Sequence, residues 1–343
     1  MHIVHAGFGD RARWNGYVER HADASVYHRW EFGELFEDVY GARSFPLLAE
    51  REGRVVGVLP LTRLSSPMFG TSLVSVPYFG HGGALAEDPD AWRALVAEAG
   101  VLAAELSAKH VELRHAHPVP AEGMPTRDDK VLMHLALPAD PDGLLKAVGA
   151  KARADIRRPE KEGMTAQVGG RELVPDFHRA YASVMRDLGS PCHGVALFDE
   201  LARRLEDRVY VVTVRYQGRP VGGGILVGMN GTLEIPCAGS LHAFTRLRGN
   251  MMLYWNVLKE AIARGYKTFS FGRSSADSGT YTFKKNWGAR PVPLPYHYVL
   301  APGRELPSVN PHNPKFARVI QAWQRLPVPL TTVLGPRLVR YFA

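Results

Sequence analysis

The sequence predicts an α/β protein with two similar domains, each a mixed, largely antiparallel sheet flanked by helices. Three observations predict it: a length of 343 residues, a hairpin pattern that occurs twice, and the same series of elements after each hairpin. At about 100–200 residues per domain, this length favours two domains. The 45% of apolar residues suffices for two cores and excludes wholesale disorder.

The repeated hairpin lies at residues 45–58 and again at 210–223. Each copy is an apolar run, a turn that contains glycine, and a second apolar run, which is the pattern of a β-hairpin. The copies align without a gap, so that Gly53 and Arg54 align with Gly218 and Arg219. This alignment predicts an internal duplication.

The elements after each hairpin also correspond, because strands, a helix with one apolar stripe and a further strand follow in both halves. In the first half they are predicted at 72–76, 83–85, from Pro89 onward, and at 111–114. In the second half they are predicted at 232–238, 250–263 and 267–271. A turn-rich break at 138–143 predicts domains at 1–145 and 146–301, followed by a tail at 302–343 with one amphipathic helix at 314–326.

Composition excludes several classes of protein. Two cysteines cannot form a disulfide framework, and the pair His115 and His117 lacks a third ligand, so we expect no metal. There is no apolar run of about 18 residues, and the first residues lack the pattern of a signal peptide. We therefore expect a cytoplasmic protein without a transmembrane segment, while the tail leaves a peripheral membrane contact open.

The charge of +8 is unevenly distributed along the chain. Residues 1–145 carry 13 basic and 20 acidic side chains, whereas residues 146–343 carry 29 and 14. The basic half is expected to meet an anion, and the alternative is a solvated surface with a chance excess of cations. This location within one half argues for a phosphate-bearing small ligand and against DNA as a partner.

Three segments of the basic half are candidates for that contact. The first is the helix start 246–251, where Arg246, Arg248, Gly249 and Asn250 could surround an anion, unless it is a plain helix start with exposed arginines. The second is the strand end and loop at 269–288, which concentrates the side chains Arg273, Ser274, Ser275, Asp277, Tyr281, Lys284 and Lys285. The alternative there is helix capping, with Thr280 as the favoured cap.

The third segment is a basic helix at 146–163, expected to break at Pro159, with phosphate contacts from Lys151, Arg153 and Arg157. A solvated helix face is its alternative. A separate candidate is Glu234 in an apolar strand, which could accept a proton as a general base, as could Asp277 or His193. The alternative for Glu234 is a solvent-facing position between two apolar neighbours.

These segments carry a resemblance to a known family. Residues 151–163 resemble the signature that opens the second domain of FemAB-like transferases, and residues 271–273 with 279–288 are similar to that family's strand end and lysine motif. In the first half, residues 25–30 and 77–83 resemble its entry helix and its Tyr-Gly-Gly turn. The nearest subgroup is the FemAB-related proteins of exosortase and exopolysaccharide loci, with a BioF-like acetyltransferase domain.

The resemblance implies tandem GNAT-like domains and acyl transfer to an amine. It implies that Lys284 supports the developing oxyanion and that Tyr78 and His81 hold the acceptor, an amine of a cell-envelope glycan, an exopolysaccharide or a small metabolite. The chain lacks the coiled-coil insertion of many cell-wall members, which favours acyl-CoA as donor and makes aminoacyl-tRNA the alternative. Met251 stands where the GNAT motif has Gly or Ala. A non-catalytic polyanion or membrane-surface binder is the rival from another class.

Overall fold

The structure is a computed structural model that describes residues 1–67, 69–276, 278–307 and 314–341, with the backbone alone for 314–316. The chain divides into two compact units. The first unit comprises residues 1–132, 292–308 and 340–343, and the second comprises 133–291 and 309–339. No helix in the described ranges has both the length and the apolar character needed to cross a membrane.

The strands are β1 His2–His5, β2 Leu47–Arg51, β3 Arg54–Leu59, β4 Thr62–Ser66, β5 Gly70–Val74, β6 Leu85–Ala86, β7 His110–Arg114, β8 Thr126–Arg127, β9 Lys130–Ala136, β10 Met164–Gly169, β11 Val209–Tyr216, β12 Arg219–Met229, β13 Thr232–Ser240, β14 Thr268–Ser275, β15 Arg290–Pro293 and β16 Tyr296–Leu300. The α-helices are α1 Arg11–Arg20, α2 Trp30–Tyr40, α3 Pro89–Glu105, α4 Pro141–Ala147, α5 Ala150–Lys161, α6 Val174–Asp187, α7 Val195–Arg204, α8 Gly249–Ala263, α9 Gly279–Asn286, α10 Pro314–Gln324 and α11 Val328–Val339.

The strands form three sheets, of which β1-β2-β3-β6 is antiparallel and the other two are mixed. The first unit contains the orders β1-β2-β3-β6 and β4-β5-β7-β16-β8, and the other sheet has the order β10-β11-β12-β13-β14-β9-β15. Residues 292–308 belong to the first unit because β16 pairs antiparallel with β7, with Tyr296 opposite Arg114. The predicted fold class is therefore confirmed: helices flank mixed, largely antiparallel sheets.

The duplication is visible in the backbone of the two hairpins. Glu52 and Gly53 join β2 to β3 with φ values of 51° and 75°, and Gln217 and Gly218 join β11 to β12 with the same two values. Two successive positive φ angles define the turn whose twist suits adjacent antiparallel strands. Each hairpin also has a bulge three to four residues before its glycine, after Ala49 in the first and after Val214 in the second.

A strand, a helix and a parallel strand complete each unit. In the first, α3 connects β5 to β7, and Asp88 caps α3 by accepting a 2.9 Å hydrogen bond from the Ala91 amide. The apolar stripe of α3, including Trp92 and Leu95, packs into the core of this unit. In the second, α8 connects β13 to β14 in the same way. The predicted helix at 250–263 agrees with α8 to within one residue.

Two expectations about helices were wrong. The basic helix does not break at Pro159, because α5 continues through this proline to Lys161. Pro159 is buried, so packing outweighs the loss of one backbone hydrogen bond. The tail contains a second helix, α11, which the expected single helix at 314–326 did not include. Its internal Pro336 and Gly335 conceal the helical pattern in the sequence.

The first unit buries several histidines in neutral form. His115 is inaccessible to solvent, and its Nδ1 lies 3.1 Å from Nδ1 of His297 while its Nε2 accepts a hydrogen bond from the Ala84 amide. Burial lowers the pKa of His28 to about 3, helped by repulsion from the nearby imidazoles of His81 and His117. These rings are packed as core residues, and their protonation opposes folding.

Candidate active site

The candidate active site begins where β13 and β14 separate. These strands are parallel and pair over three residues each, with Thr232 opposite Thr268, Leu233 opposite Phe269 and Glu234 opposite Ser270. Both strands continue beyond this point, β13 to Ser240 and β14 to Ser275. The facing edges of the two continuations therefore present backbone N–H and C=O groups to the space where the strands diverge.

A bulge explains the divergence. Between β12 and β13, Ile225 is opposite Cys237 and Val227 is opposite Glu234, so Ile235 and Pro236 together oppose a single residue. Such a bulge bends the strand and increases its twist. It lies directly after Glu234, the last residue that pairs with β14. Pro236 suits this position because it has no N–H group to leave unpaired.

Glu234 is held at the point of divergence by Ser270. The Ser270 hydroxyl donates a 3.0 Å hydrogen bond to Oε2 of Glu234 and accepts one of 3.2 Å from the Gly272 amide. Glu234 is 5% exposed and Ser270 is fully buried. The solvent-facing alternative for Glu234 was therefore wrong. A buried carboxylate oriented by a hydroxyl is an arrangement that can accept a proton.

Lys284 reaches the same strand from α9. Its Nζ donates hydrogen bonds of 3.2 Å to the Gly272 carbonyl and 2.9 Å to the Arg273 carbonyl. Gly272 has a φ of 70°, a conformation that favours glycine and shapes the backbone presenting these two carbonyls. Burial lowers the pKa of Lys284 to about 8, opposed by the negative charge of Glu234 and reinforced by the positive charge of Arg273. An ammonium has three donors, so one N–H remains for a further acceptor.

The loop between β14 and α9 contains most of the other predicted substrate residues. Arg273, Ser275 and Lys285 are exposed, and Tyr281 is half-buried with the Lys285 ammonium 5.6 Å from its ring centroid. Ser274 is 4% exposed, and its hydroxyl has no hydrogen-bond partner among the described residues. A buried hydroxyl without a partner is costly, so the Ser274 hydroxyl is available to a water or to a ligand at this strand end.

Two further predictions in this loop concern Asp277 and the residue that caps α9. Asp277 lies outside the residues that the structure describes. The cap of α9 is Ser278, whose Oγ accepts a 3.2 Å hydrogen bond from the Tyr281 amide, so the choice of Thr280 was wrong. Thr280 instead exchanges a 2.9 Å hydrogen bond with the Ser278 hydroxyl. Both residue types favour this position, and only the observed start of the helix distinguishes them.

The predicted anion site lies at the start of α8. Arg248 has a φ of 62° and precedes Gly249, the first helical residue. A Cβ atom on Gly249 would lie 2.8 Å from the Ser240 hydroxyl, so a larger residue would require the Ser240 side chain or the helix start to move. The free N–H groups of a helix start attract anions. Arg246 and Asn250 are exposed beside it, and the Arg248 guanidinium lies 3.0 Å from the Asp155 carboxylate of α5.

The three cations predicted on α5 differ in their surroundings. The Arg153 guanidinium donates hydrogen bonds of 3.2 and 2.5 Å to the carbonyls of Leu145 and Val148, and so joins α5 to the end of α4. Lys151 and Arg157 are exposed. Arg157 borders a groove of about 590 Å³ between α5, β10 and α8. Arg153 is therefore a structural side chain, and the other two can meet an external anion.

Tyr78 and His81 lie in the loop that follows β5 in the first unit. Tyr78 has a φ of 69°, and its hydroxyl donates a 3.0 Å hydrogen bond to the Arg340 carbonyl. His81 is 8% exposed, and its ring stacks edge-on against Tyr27 with centroids 5.0 Å apart. The loop is supported by buried Arg114, which donates to the Val76 and Phe79 carbonyls at 3.2 and 2.8 Å.

Sequence reasoning missed two residues of these sites. Ser270 occurs in an apolar strand, where its only signal was a hydroxyl between two phenylalanines. Arg114 is 2% exposed and pairs with Glu112 at 2.6 Å. The signal there was an alternation of two opposite charges in a short strand that is otherwise apolar. Buried charges occur in pairs, so this alternation was a usable clue.

Residues 150–285 match the family model described as acetyltransferase (GNAT) domain. This stretch lies within the second unit, which is therefore similar to a GNAT domain over these residues. The predicted enzyme class is thereby confirmed, and the chain is an acyltransferase with tandem GNAT-like domains.

Solved structures show the same fold over almost the whole chain. The crystal structure of FemX matches with a TM-score of 0.67 at 15% identity, covering 88% of this chain and 98% of that one. A tandem GNAT protein from the clavulanic acid biosynthesis pathway has a TM-score of 0.54 at 12% identity, with 89% and 99% covered.

A third structure is the C-terminal domain (DUF2156) assigned to a lysylphosphatidylglycerol synthetase from Agrobacterium fabrum. It has a TM-score of 0.56 at 14% identity, with 84% and 91% covered. Comparison with curated protein sequences found no match. At these identities, the three structures establish a FemAB-like tandem GNAT fold and leave donor and acceptor to the chemistry of the site.

Proposed function

We propose that this protein is a cytoplasmic N-acyltransferase that moves an acyl group from acyl-CoA to an amine. The observation that supports it is the divergence of β13 and β14 directly beyond the Glu234–Ser270 hydrogen bond, with Lys284 buried beside it. This arrangement combines a proton acceptor, an ammonium donor and unpaired backbone groups in one place. Acyl transfer to an amine requires a proton acceptor for the amine and hydrogen-bond donors for the oxygen that gains negative charge.

The start of α8 is the proposed site for the diphosphate of coenzyme A. Gly249 lets this turn lie against the end of β13, and the exposed Arg246 and Asn250 flank it. Arg248 is partly neutralised by Asp155, so we assign it to shaping the turn as well as to binding. Coenzyme A supplies the reactive thioester when bound, and these residues hold its anionic part.

The residues at the divergence have distinct proposed roles in the reaction. In the reaction, the acceptor nitrogen bonds to the acyl carbon, and the bond from that carbon to sulfur breaks. The amine loses a proton in this step, and Glu234, oriented by Ser270, accepts it. The third N–H of Lys284 meets the acyl oxygen as it gains negative charge. The Ser274 hydroxyl and the Arg273 guanidinium are the groups that contact the substrate at the end of β14.

The acceptor that we propose is an amine of a cell-envelope or exopolysaccharide precursor, in line with the resemblance to FemAB-related proteins of exosortase and exopolysaccharide loci. The alternative acceptor is the amine of a small metabolite. The role of Tyr78 and His81 in holding the acceptor stays a prediction from the family resemblance. A glycan-linked precursor commonly carries phosphate, which suits exposed Arg273 and Lys285.

The second candidate is aminoacyl transfer from a charged tRNA, as in the FemABX type. The FemX fold and the exposed Lys151 and Arg157 on α5 favour it. A polyanion that contacts several phosphates binds with a steep salt dependence, whereas coenzyme A contacts few. The two donors therefore differ in a measurable property.

A calorimetric screen separates the two donors. We expect saturable heats with acetyl-CoA and CoA that persist between about 50 and 200 mM salt, and weak, salt-sensitive heats with charged tRNA. Tight binding of tRNA without a CoA signal would replace the first proposal by the second. With a mass-spectrometric assay of amine acceptors, Lys284→Ala and Arg273→Ala should abolish transfer while the protein stays folded. Unchanged turnover in both variants would refute the assigned site.

A further inference from the structure

The helix α11 buries a face of small and medium-sized residues and leaves several larger aliphatic residues exposed. Thr331, Gly335 and Val339 are buried in the second unit. A Cβ atom on Gly335 would lie 2.8 Å from the backbone oxygen of Cys192, so glycine lets the helix pack directly onto the segment between α6 and α7. This inward face uses small side chains for close approach.

The opposite face of α11 is aliphatic. Leu330 is 43% exposed, Val333 is 57% exposed and Leu338 is 41% exposed. At 100° per residue, these three positions and Arg337 fall within one half of the helix surface. A helix on the surface of a soluble domain normally has the reverse arrangement, with its large apolar residues buried and its charges outward. The outward face of α11 therefore needs a partner.

The charge around this face identifies the kind of partner. The last acidic residue of the chain is Glu305, and the 38 residues after it contain five arginines and lysines. Arg337 of α11 is exposed, and so is Arg325, three residues before the helix begins. The adjacent Asp187 of α6 is already paired with Arg186, with Nε and Oδ1 2.7 Å apart. A partner must therefore be apolar at its centre and anionic at its surface.

We propose that the α11 face, consisting of Leu330, Val333 and Leu338 with Arg325 and Arg337, docks on the surface of an anionic phospholipid bilayer. The aliphatic side chains enter the boundary between headgroups and acyl chains, and the arginines meet the lipid phosphates. Val319 of α10, 64% exposed, adds apolar area on the same tail. A nucleic acid would satisfy the arginines and leave the aliphatic face exposed to water.

Docking would keep this enzyme at the membrane surface without a spanning helix. The inference rests on the tail and goes beyond the proposed function, because it holds whichever acyl donor the second unit uses. In a symmetric dimer this face would meet the same face of a second copy, and the arginines would need acids on α11. The described part of α11 contains no acid.

Sedimentation with vesicles tests the proposal. The full chain is mixed with vesicles of phosphatidylcholine alone or with about 30% phosphatidylglycerol at about 100 mM salt, and the bound fraction is measured. We expect binding to the anionic vesicles only. The double variant Leu330→Glu, Val333→Glu should lose it, and each of Arg325→Gln and Arg337→Gln should weaken it about fivefold.

The matched control is the double variant Phe8→Glu, Val101→Glu, which introduces the same two charges at exposed positions of the first unit, where Phe8 is 74% and Val101 is 52% exposed. It should bind vesicles like the unmodified chain, and circular dichroism should show all variants folded. Equal binding by the α11 double variant, or no sedimentation of the unmodified chain, would refute the proposal. A concentration-dependent dimer that the double variant abolishes, without vesicle binding, would assign the face to a second copy instead.

Discussion

The Ser270 hydroxyl donates a 3.0 Å hydrogen bond to the Glu234 carboxylate at the last register position where β13 and β14 pair. Beyond it, the bulge at Ile235 and Pro236 turns β13 away from its neighbour. The buried carboxylate is thus fixed at the exact end of the shared ladder, beside the backbone groups that the divergence leaves unpaired. This relationship is the basis of the first prediction.

Glu234→Gln should lower kcat by about 10²- to 10⁴-fold, because the amide keeps the shape of the side chain but cannot accept a proton. Ser270→Ala should give a smaller loss and alter the pH profile of kcat, since the hydroxyl orients the carboxylate. The measurement is steady-state acyl transfer over pH 6–9. Glu260→Gln, at a surface ion pair on α8, is the control and should retain full activity. Full activity of Glu234→Gln would exclude Glu234 as the base.

The buried ammonium of Lys284 should make stability depend on alkaline pH. Its pKa is about 8 in the folded protein and 10.5 in the unfolded chain. Between these values the unfolded state binds more protons, so the free energy of unfolding rises with pH. From pH 7.5 to 9.5 the gain is about 2 kcal/mol.

Lys284→Met should lack this rise, and urea unfolding of both proteins at the two pH values measures it. Lys284→Met also leaves the Gly272 and Arg273 carbonyls without their donor, which lowers the free energy of unfolding at both pH values. This loss cancels when the two pH values are compared within one protein. An equal rise in Lys284→Met would mean that another group titrates.

Gly249→Ala should raise the KM for the acyl donor about tenfold, because the new Cβ would lie 2.8 Å from the Ser240 hydroxyl and displace the turn at the start of α8. Gly279→Ala is a matched control, since Gly279 also begins a helix and its Cβ would meet no atom within 4 Å. Donor titrations at saturating acceptor measure both. An unchanged KM in Gly249→Ala would place the donor elsewhere.

Acid should destabilise the first unit through its buried histidines. The pKa of His28 is about 3 in the folded protein against 6.5 in the unfolded chain, so only the unfolded state gains a proton as the pH falls below 6.5. At pH 5.0 this one residue costs about 2 kcal/mol relative to pH 7.5. The loss continues until the pH reaches about 3.

His28→Asn should show a smaller fall between pH 7.5 and 5.0, measured by urea unfolding at each pH. The other histidines of this unit titrate in both proteins and cancel in the comparison. His2→Asn, at an exposed strand end, is the control and should behave like the unmodified chain. An identical fall in His28→Asn would show that His28 does not contribute to acid sensitivity.

Local patterns sufficed to predict much of the fold. The turns at Glu52-Gly53 and Gln217-Gly218 are determined by residues that tolerate positive φ, and the helix stripes of α3 and α8 follow from their spacing. The tail was harder, because the proline and glycine of α11 weaken its helical pattern while its packing on Cys192 stabilises it. Packing between distant segments outweighs local propensity there.

By itself, the sequence determined the duplicated hairpins, the position of Gly249 before a helix and the excess of cations in the second half, because each depends on neighbouring residues alone. Only the tertiary structure decided that Ser270 contacts Glu234, 36 positions away, that Lys284 reaches the Gly272 carbonyl, and that α11 directs its leucines outward. Those outcomes depend on strand register, on a bulge and on which face of a helix finds a partner. Such long-range packing leaves no periodic signal along the chain.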